Sequence, residues 1–240
     1  MLEMKSVQTS HGVIPLHMSG EGEDRPVVLA ICGAFAPFDY LSWLGDRLPE
    51  AEVVITHLPG LLTAPPDVVS VSSFAYAFID LIESFYIGRR IVVIGLSVGG
   101  LVALSINSES VAAVIAVDPP LSTAKLWPLI DWASMARGQM TPTQQDWLWR
   151  IFGYGSTIED RCYHDIVSEL SRPARVIVAG DSLGARRQIT ELPGLLDTTD
   201  VEFLKRNNLI SVQVVDGVGH DVAVRRPEVL VAEIRAALTP

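Results

Sequence analysis

The chain has 240 residues, 49% hydrophobic and 19% charged, which excludes global disorder and suits one α/β domain with a sizeable core. A formal net charge of −10 repels a phosphate backbone, so nucleic acid is excluded as a partner class. The two cysteines, Cys32 and Cys162, show no CxxC or Cys/His cluster of zinc-binding spacing, and no metal site is expected.

The N-terminal stretch MLEMKSVQTSHGVIPLHMSGEGEDRP lacks a basic start followed by an apolar run, so no signal peptide is read there. Apolar runs elsewhere break well before the ~18 residues that a membrane span needs. The expectation is a cytoplasmic protein with no membrane partner.

Short β-branched runs alternate with helical stretches, the pattern of a mostly parallel sheet covered on both faces. Two weak strands come first, Glu3–Thr9 and Val13–Ser19. After the turn GEGEDRP, Pro26–Cys32 is a buried strand. A helix is predicted over Phe38–Leu48 from the spacing of Leu41, Leu44 and Leu48. The strand Glu52–His57 and a helix over Ser70–Tyr86 follow. Arg90–Ile94 reads as the central strand and leads into the helix Leu101–Asn107. The strand Ala112–Val117 ends in Asp118-Pro119-Pro120.

Residues 121–170 interrupt this rhythm. The stretch carries Trp127, Trp132, Trp147 and Trp149 and reads as helical. It is expected to be a small lid-like insertion in a single domain spanning 1–240, although ordinary packing helices would give the same composition. The sheet resumes at Arg175–Ala179. A helix over Asp200–Asn207, the strand Ile210–Val215 and a closing helix Pro227–Leu238 complete the order.

Gly95-Leu96-Ser97-Val98-Gly99 lies where the central strand turns into a helix. Such a bend strains the backbone at its middle residue, and side chains in place of the flanking glycines would strike the neighbouring elements. The bend lifts the Ser97 hydroxyl clear of the sheet, beside the positive end of a helix. A serine hydroxyl needs a base in reach, and the base needs an orienting partner. Of five histidines, His220 follows the last strand in a glycine-rich loop and fits the chain order serine, acid, histidine. The acid is left between two residues. Asp181 ends the strand RVIVA and is favoured; Asp118 ends AAVIAV. The oxyanion donors are expected to be the N–H groups of Val98 and Ala34. Phe35, Leu96 and Trp127 are expected to line the acyl site.

These features together resemble the α/β-hydrolase family along nearly the whole chain. Cys32-Gly33-Ala34, LPGLLTAPP, GLSVGGLVAL, AVDPP and GVGH, in that order, resemble more closely the thioesterases of polyketide and nonribosomal peptide synthesis. Two departures stand out: Cys32 takes the place of the usual histidine at the oxyanion loop, and Gly-x-x-Asp is shortened to Gly180-Asp181. The resemblance implies an α/β-hydrolase fold and a serine hydrolase cleaving an ester or thioester through an acyl-enzyme. Its substrate would be a small acyl compound, with a thioester carrier among the options, and the chemistry requires no cofactor. An acyltransferase or lyase using the same residues, or a binding protein on this scaffold, are the alternatives.

Overall fold

A computed structural model describes residues 5–19, 25–37, 39–182 and 192–239. Eight strands form one sheet in the order β1-β2-β4-β3-β5-β6-β7-β8. They are β1 (Lys5–Thr9), β2 (Gly12–Ser19), β3 (Val27–Ile31), β4 (Glu52–Thr56), β5 (Ile91–Leu96), β6 (Val111–Val117), β7 (Ala174–Ala179) and β8 (Ile210–Val215). The β1–β2 and β2–β4 pairs are antiparallel. Every pair from β4 through β8 is parallel. Residues 3 and 4 of the expected first strand lie outside the described residues.

Successive side chains of a strand point to opposite faces, and the apolar runs split accordingly. Leu29, Ile31, Val93, Val114 and Val176 face a core shared with α2 (Val71–Phe85), α3 (Val98–Ser105), α5 (Pro142–Phe152), α6 (His164–Ser168) and α7 (Thr198–Arg206). Val28, Ala30, Val92, Ile94, Ile115 and Ile177 face a second core with α1 (Leu44–Arg47), α8 (Val222–Arg225) and α9 (Pro227–Leu238). Helices on both faces explain why these strands are almost wholly apolar, Arg175 near the start of β7 excepted, with no polar alternation.

The predicted helices match in position; the closing one matches residue for residue and the others differ in their bounds. The Ser70 side chain accepts from Ser73 N–H, and α2 buries Phe74, Ala77, Phe78, Leu81 and Ile82, the residues its 3.6-residue period places on one face. The helix expected over Phe38–Leu48 is only α1, preceded by turns. Leu41, Leu44 and Leu48 are nevertheless all fully buried, so the spacing marked the core-facing residues of a mostly irregular segment. Phe38 itself lies outside the described residues.

Between β6 and β7 the described residues contribute α4 (Trp127–Ala136), a 3₁₀ turn at Arg137–Gln139, α5 and α6. A capping box of Thr141 and Gln144, with Pro142 at the first helical position, starts α5, and Gly153 in the left-handed region ends it. Its inner face is core: Trp147 is fully buried and stacks on Phe74 of α2 at 6.0 Å. By contrast, α4 leaves Trp127 half exposed and Met135 largely so. Among the described residues, no helix is long and apolar enough to cross a membrane.

Candidate active site

Three non-glycine residues among those described have positive φ: Phe35 at 57°, Ser97 at 54° and Asp118 at 47°. They follow the carboxyl ends of β3, β5 and β6, adjacent strands of the sheet. Each such conformation costs about 1–3 kcal/mol, and strain of this kind persists where surrounding structure enforces it, commonly at functional sites. Ligands of open α/β sheets also bind at this edge.

Ser97 sits on the bend between β5 and α3 with φ 54° and ψ −125°. Its N–H donates to Val117 O at 2.8 Å, and its carbonyl accepts from Gly100 N–H at 2.8 Å. The flanking glycines are sterically required. A Cβ on Gly95 would lie 2.0 Å from Gly99 O, and one on Gly99 would lie 2.5 Å from Ile31 O and 2.8 Å from Cys32 O. The bend is thus clamped between its own helix and β3. A Cβ on Gly33 would lie 3.1 Å from the Ser97 Cβ, so the loop after β3 passes directly beside the serine. Ala34 and Phe35 form the turn that continues it. Val98 is the first residue of α3, where N–H groups have no acceptor inside the helix.

Asp118 follows Val117, the residue that receives the Ser97 N–H. Its side chain is fully buried. The Oδ2 atom accepts from Leu195 N–H at 2.8 Å and lies 2.7 Å from His220 Nδ1, while Oδ1 accepts from Ala179 N–H at 3.4 Å. Converging donors of this kind offset the cost of burying a carboxylate. With Nδ1–H donating to Asp118, the tautomer this contact assigns, Nε2 of His220 is the basic nitrogen. The imidazole is held at the same sheet edge as the Ser97 hydroxyl and is only 16% exposed.

The His220 loop is fixed by its main chain. His220 N–H donates to Leu192 O at 3.0 Å, and a Cβ on Gly219 would lie 2.2 Å from that same carbonyl. Gly219 therefore permits close contact with residue 192; room for the ring is not its main contribution. Tyr40 OH donates to Asp221 Oδ1 at 3.3 Å, joining the loop after β3 to the residue after the histidine. Burial first, then the Asp221 carboxylate, pushes the Tyr40 hydroxyl well above its ordinary pKa.

The choice between the two acids is corrected. Asp181 is favoured by sequence, yet Asp118 makes the contact with His220 Nδ1. Asp181 lies two residues beyond β7, and its backbone ties loops together: its N–H donates to Val218 O, and its carbonyl accepts from Gly194 N–H. The three expected acyl-site residues are placed differently from one another. Phe35 packs edge-on against Trp147 at 5.6 Å. Leu96 is buried in the core that α9 covers. Trp127 opens α4, half exposed. Cys32 is fully buried in the same core as Leu96, and burial pushes its thiol up to about 12. Sequence reasoning missed Leu195 and Tyr40, which act through backbone or long-range contacts with no local motif.

A doubly covered parallel sheet with a strained serine at a strand–helix bend, and an imidazole bound to the carboxylate that follows the adjacent strand, is the architecture of an α/β hydrolase. The family model of the alpha/beta hydrolase family matches residues 27–233; the chain belongs to that family and is a hydrolase. Solved structures agree in fold. A membrane phospholipase A described as a bacterial virulence factor superposes with a TM-score of 0.70 at 20% identity, covering 99% of this chain and 86% of its own. A thioesterase domain from the curacin biosynthetic pathway gives 0.65 at 18% identity, with 98% and 99% covered. The N-formylmaleamic acid deformylase of Pseudomonas putida gives 0.66 at 16% identity, with 97% and 100% covered. No curated protein matches the sequence.

Proposed function

We propose that this protein is a serine hydrolase that cleaves a carboxylic ester or thioester through an acyl-enzyme. Ser97 is the nucleophile, His220 the general base and Asp118 the carboxylate that orients it. The 2.7 Å contact between His220 Nδ1 and Asp118 beside the Ser97 bend carries this reading. Asp118 fixes the tautomer in which Nε2 can accept the Ser97 proton, and it stabilises the imidazolium that forms. As Oγ attacks the carbonyl carbon, the developing oxyanion is met by the N–H groups of Val98 and Ala34. His220 then protonates the leaving alcohol or thiol, and water, deprotonated by the same nitrogen, releases the acid.

The acyl group rests against Phe35, which Trp147 backs, with Trp127 at the rim. Hydrophobic acyl chains suit these side chains. A thioester carrier is supported by the ordered sequence likeness to thioesterases. A cytoplasmic site of action is supported by two free cysteines, Cys32 and Cys162.

The test is intact-mass detection after treatment with an alkyl organophosphonate, beside a panel of acyl esters and acyl-thioesters of graded chain length. The expected result is one adduct on Ser97, none on folded Ser97→Ala, and ester or thioester turnover that the same substitution abolishes. A folded protein that stays unlabelled and inert on every member of the panel overturns the proposal.

A further inference from the structure

Outside the Ser97 edge, a second nucleophile faces an imidazole. Cys162 Sγ lies 2.8 Å from His164 Nδ1, a pair that the sequence reading did not single out. The other ring nitrogen, Nε2, faces Asp200 Oδ1 at 3.7 Å. Asp200 is only 2% exposed and is held by Lys125 Nζ and by the capping box it forms with Asp197. Phe203 packs edge-on against the His164 ring, centroids 4.5 Å apart. The ring is therefore positioned from α7 on one side and carries the thiol on the other. Cys162 itself is exposed. The charged groups around the pair are Asp200, Asp197 and Lys125, with Arg161 and Asp165 adjoining in the chain.

The arrangement has the logic of a nucleophile, a base and an orienting carboxylate. In the tautomer that carries its proton on Nε2, toward Asp200, Nδ1 accepts the thiol proton across 2.8 Å. Nothing in the proposed hydrolysis uses this pair.

We propose that Cys162 is a thiol–disulfide exchange site, activated by His164, that takes low-molecular-weight disulfides. The Cys162 proton passes to His164 Nδ1, and the sulfur attacks one sulfur of the disulfide R–S–S–R. That S–S bond breaks as the bond between Cys162 and S–R forms, and the departing thiolate takes the proton from the imidazolium. One disulfide and one protein thiol become one mixed disulfide and one free thiol, with no further oxidant. Cys32 serves as an internal control, since burial makes its thiolate costly and keeps reagent away.

The experiment follows the rate of oxidised glutathione addition to the full-length protein by intact mass and peptide mapping, from pH 6 to 9.5. The expected product is one adduct, on Cys162, absent in Cys162→Ser. In folded His164→Gln, checked by its melting curve, addition at pH 6.5 should slow about tenfold or more, because an unassisted thiol is almost wholly protonated there. The gap should close toward pH 9.5, where thiolate forms without a base. The proposal is overturned if folded wild type stays unmodified, if His164→Gln reacts at the wild-type rate, or if the gap persists at high pH.

Discussion

The Ser97 bend and the segment between β6 and β7 are built on opposite terms. At the bend, backbone rests on backbone, Gly95 against Gly99 and Gly99 against Ile31 and Cys32, and the His220 loop repeats this with Gly219 against Leu192. Nothing there can grow by one carbon. Besides the ties of Lys125 to Asp197 and Asp200 and of Asn207 to Val167, the other segment is held at two main places. One is the inner face of α5. The other is a seam where Tyr163 N–H donates to Leu121 O, Thr123 N–H to Arg161 O, and Asp160 collects the N–H groups of Thr123 and Ala124. At Gly138 an added Cβ would meet nothing within 4 Å. The lesson is that geometry is specified most tightly where the chemistry is proposed, while the neighbouring helices are left room to vary.

The strongest way to break the contrast is Asp118→Asn, which keeps the shape at the bend and disturbs only the imidazole. A fall in kcat of about 10³–10⁴ is expected with little change in melting temperature, since an amide can bind the wrong tautomer. Steady-state kinetics on the best ester decide it; near-wild-type turnover would sink the Asp118 assignment. Trp147→Ala tests whether α5 belongs with the core, at an expected cost of about 3–5 kcal/mol in denaturant unfolding. A loss under 1 kcal/mol would place α5 with the loosely held half of its segment. Gly99→Ala should destabilise by about 3 kcal/mol, the upper end for forced overpacking, because its clash partners are carbonyls that cannot rotate away.

Smaller effects sharpen the seam. Burial opposes ionisation of Asp160, but the Ala124 and Thr123 amides and the Ser122 hydroxyl outweigh it and hold the carboxyl below its ordinary pKa. A lowered folded-state pKa means that this stabilisation is present above the unfolded value and is lost as pH falls through the folded one. Asp160→Asn should therefore lower the melting temperature at pH 7, by the equivalent of about 1 kcal/mol or less given its exposure. The difference should shrink in acid, and a constant difference at pH 3 and pH 7 would contradict the linkage. Gly138→Ala should be neutral or stabilising by up to about 0.5 kcal/mol. A clear loss of stability there would show that the segment is less permissive than its open surroundings indicate.

The fold was legible because its strands are short β-branched runs separated by helical periods, a signal that needs no long-range knowledge. The Ser97 bend was legible for the same reason: Gly95, Ser97 and Gly99 are local, and their strand–helix context is local too. The acid was not. Asp118 and Asp181 occupy equivalent strand ends, and the difference between them rests on where residues 192–195 bring the His220 loop, which no nearby residue announces. Cys162 and His164 were missed because the pair matches no motif, and the entry of the chain into α6 that brings the two side chains together is not announced by nearby residues. The four-residue α8 carries too short a period to be seen.

One further property of the seam concerns how such a protein could diversify. Ser122 and Cys162 oppose each other across an isolated antiparallel bridge, so residues 122–162 leave and rejoin the path between β6 and α6 at nearly a single spot. A stretch with coincident ends can be lengthened, shortened or exchanged as a cassette without moving the strands on either side. New acyl preferences can then be sampled by altering what hangs over the sheet, while the reacting atoms beneath keep their places.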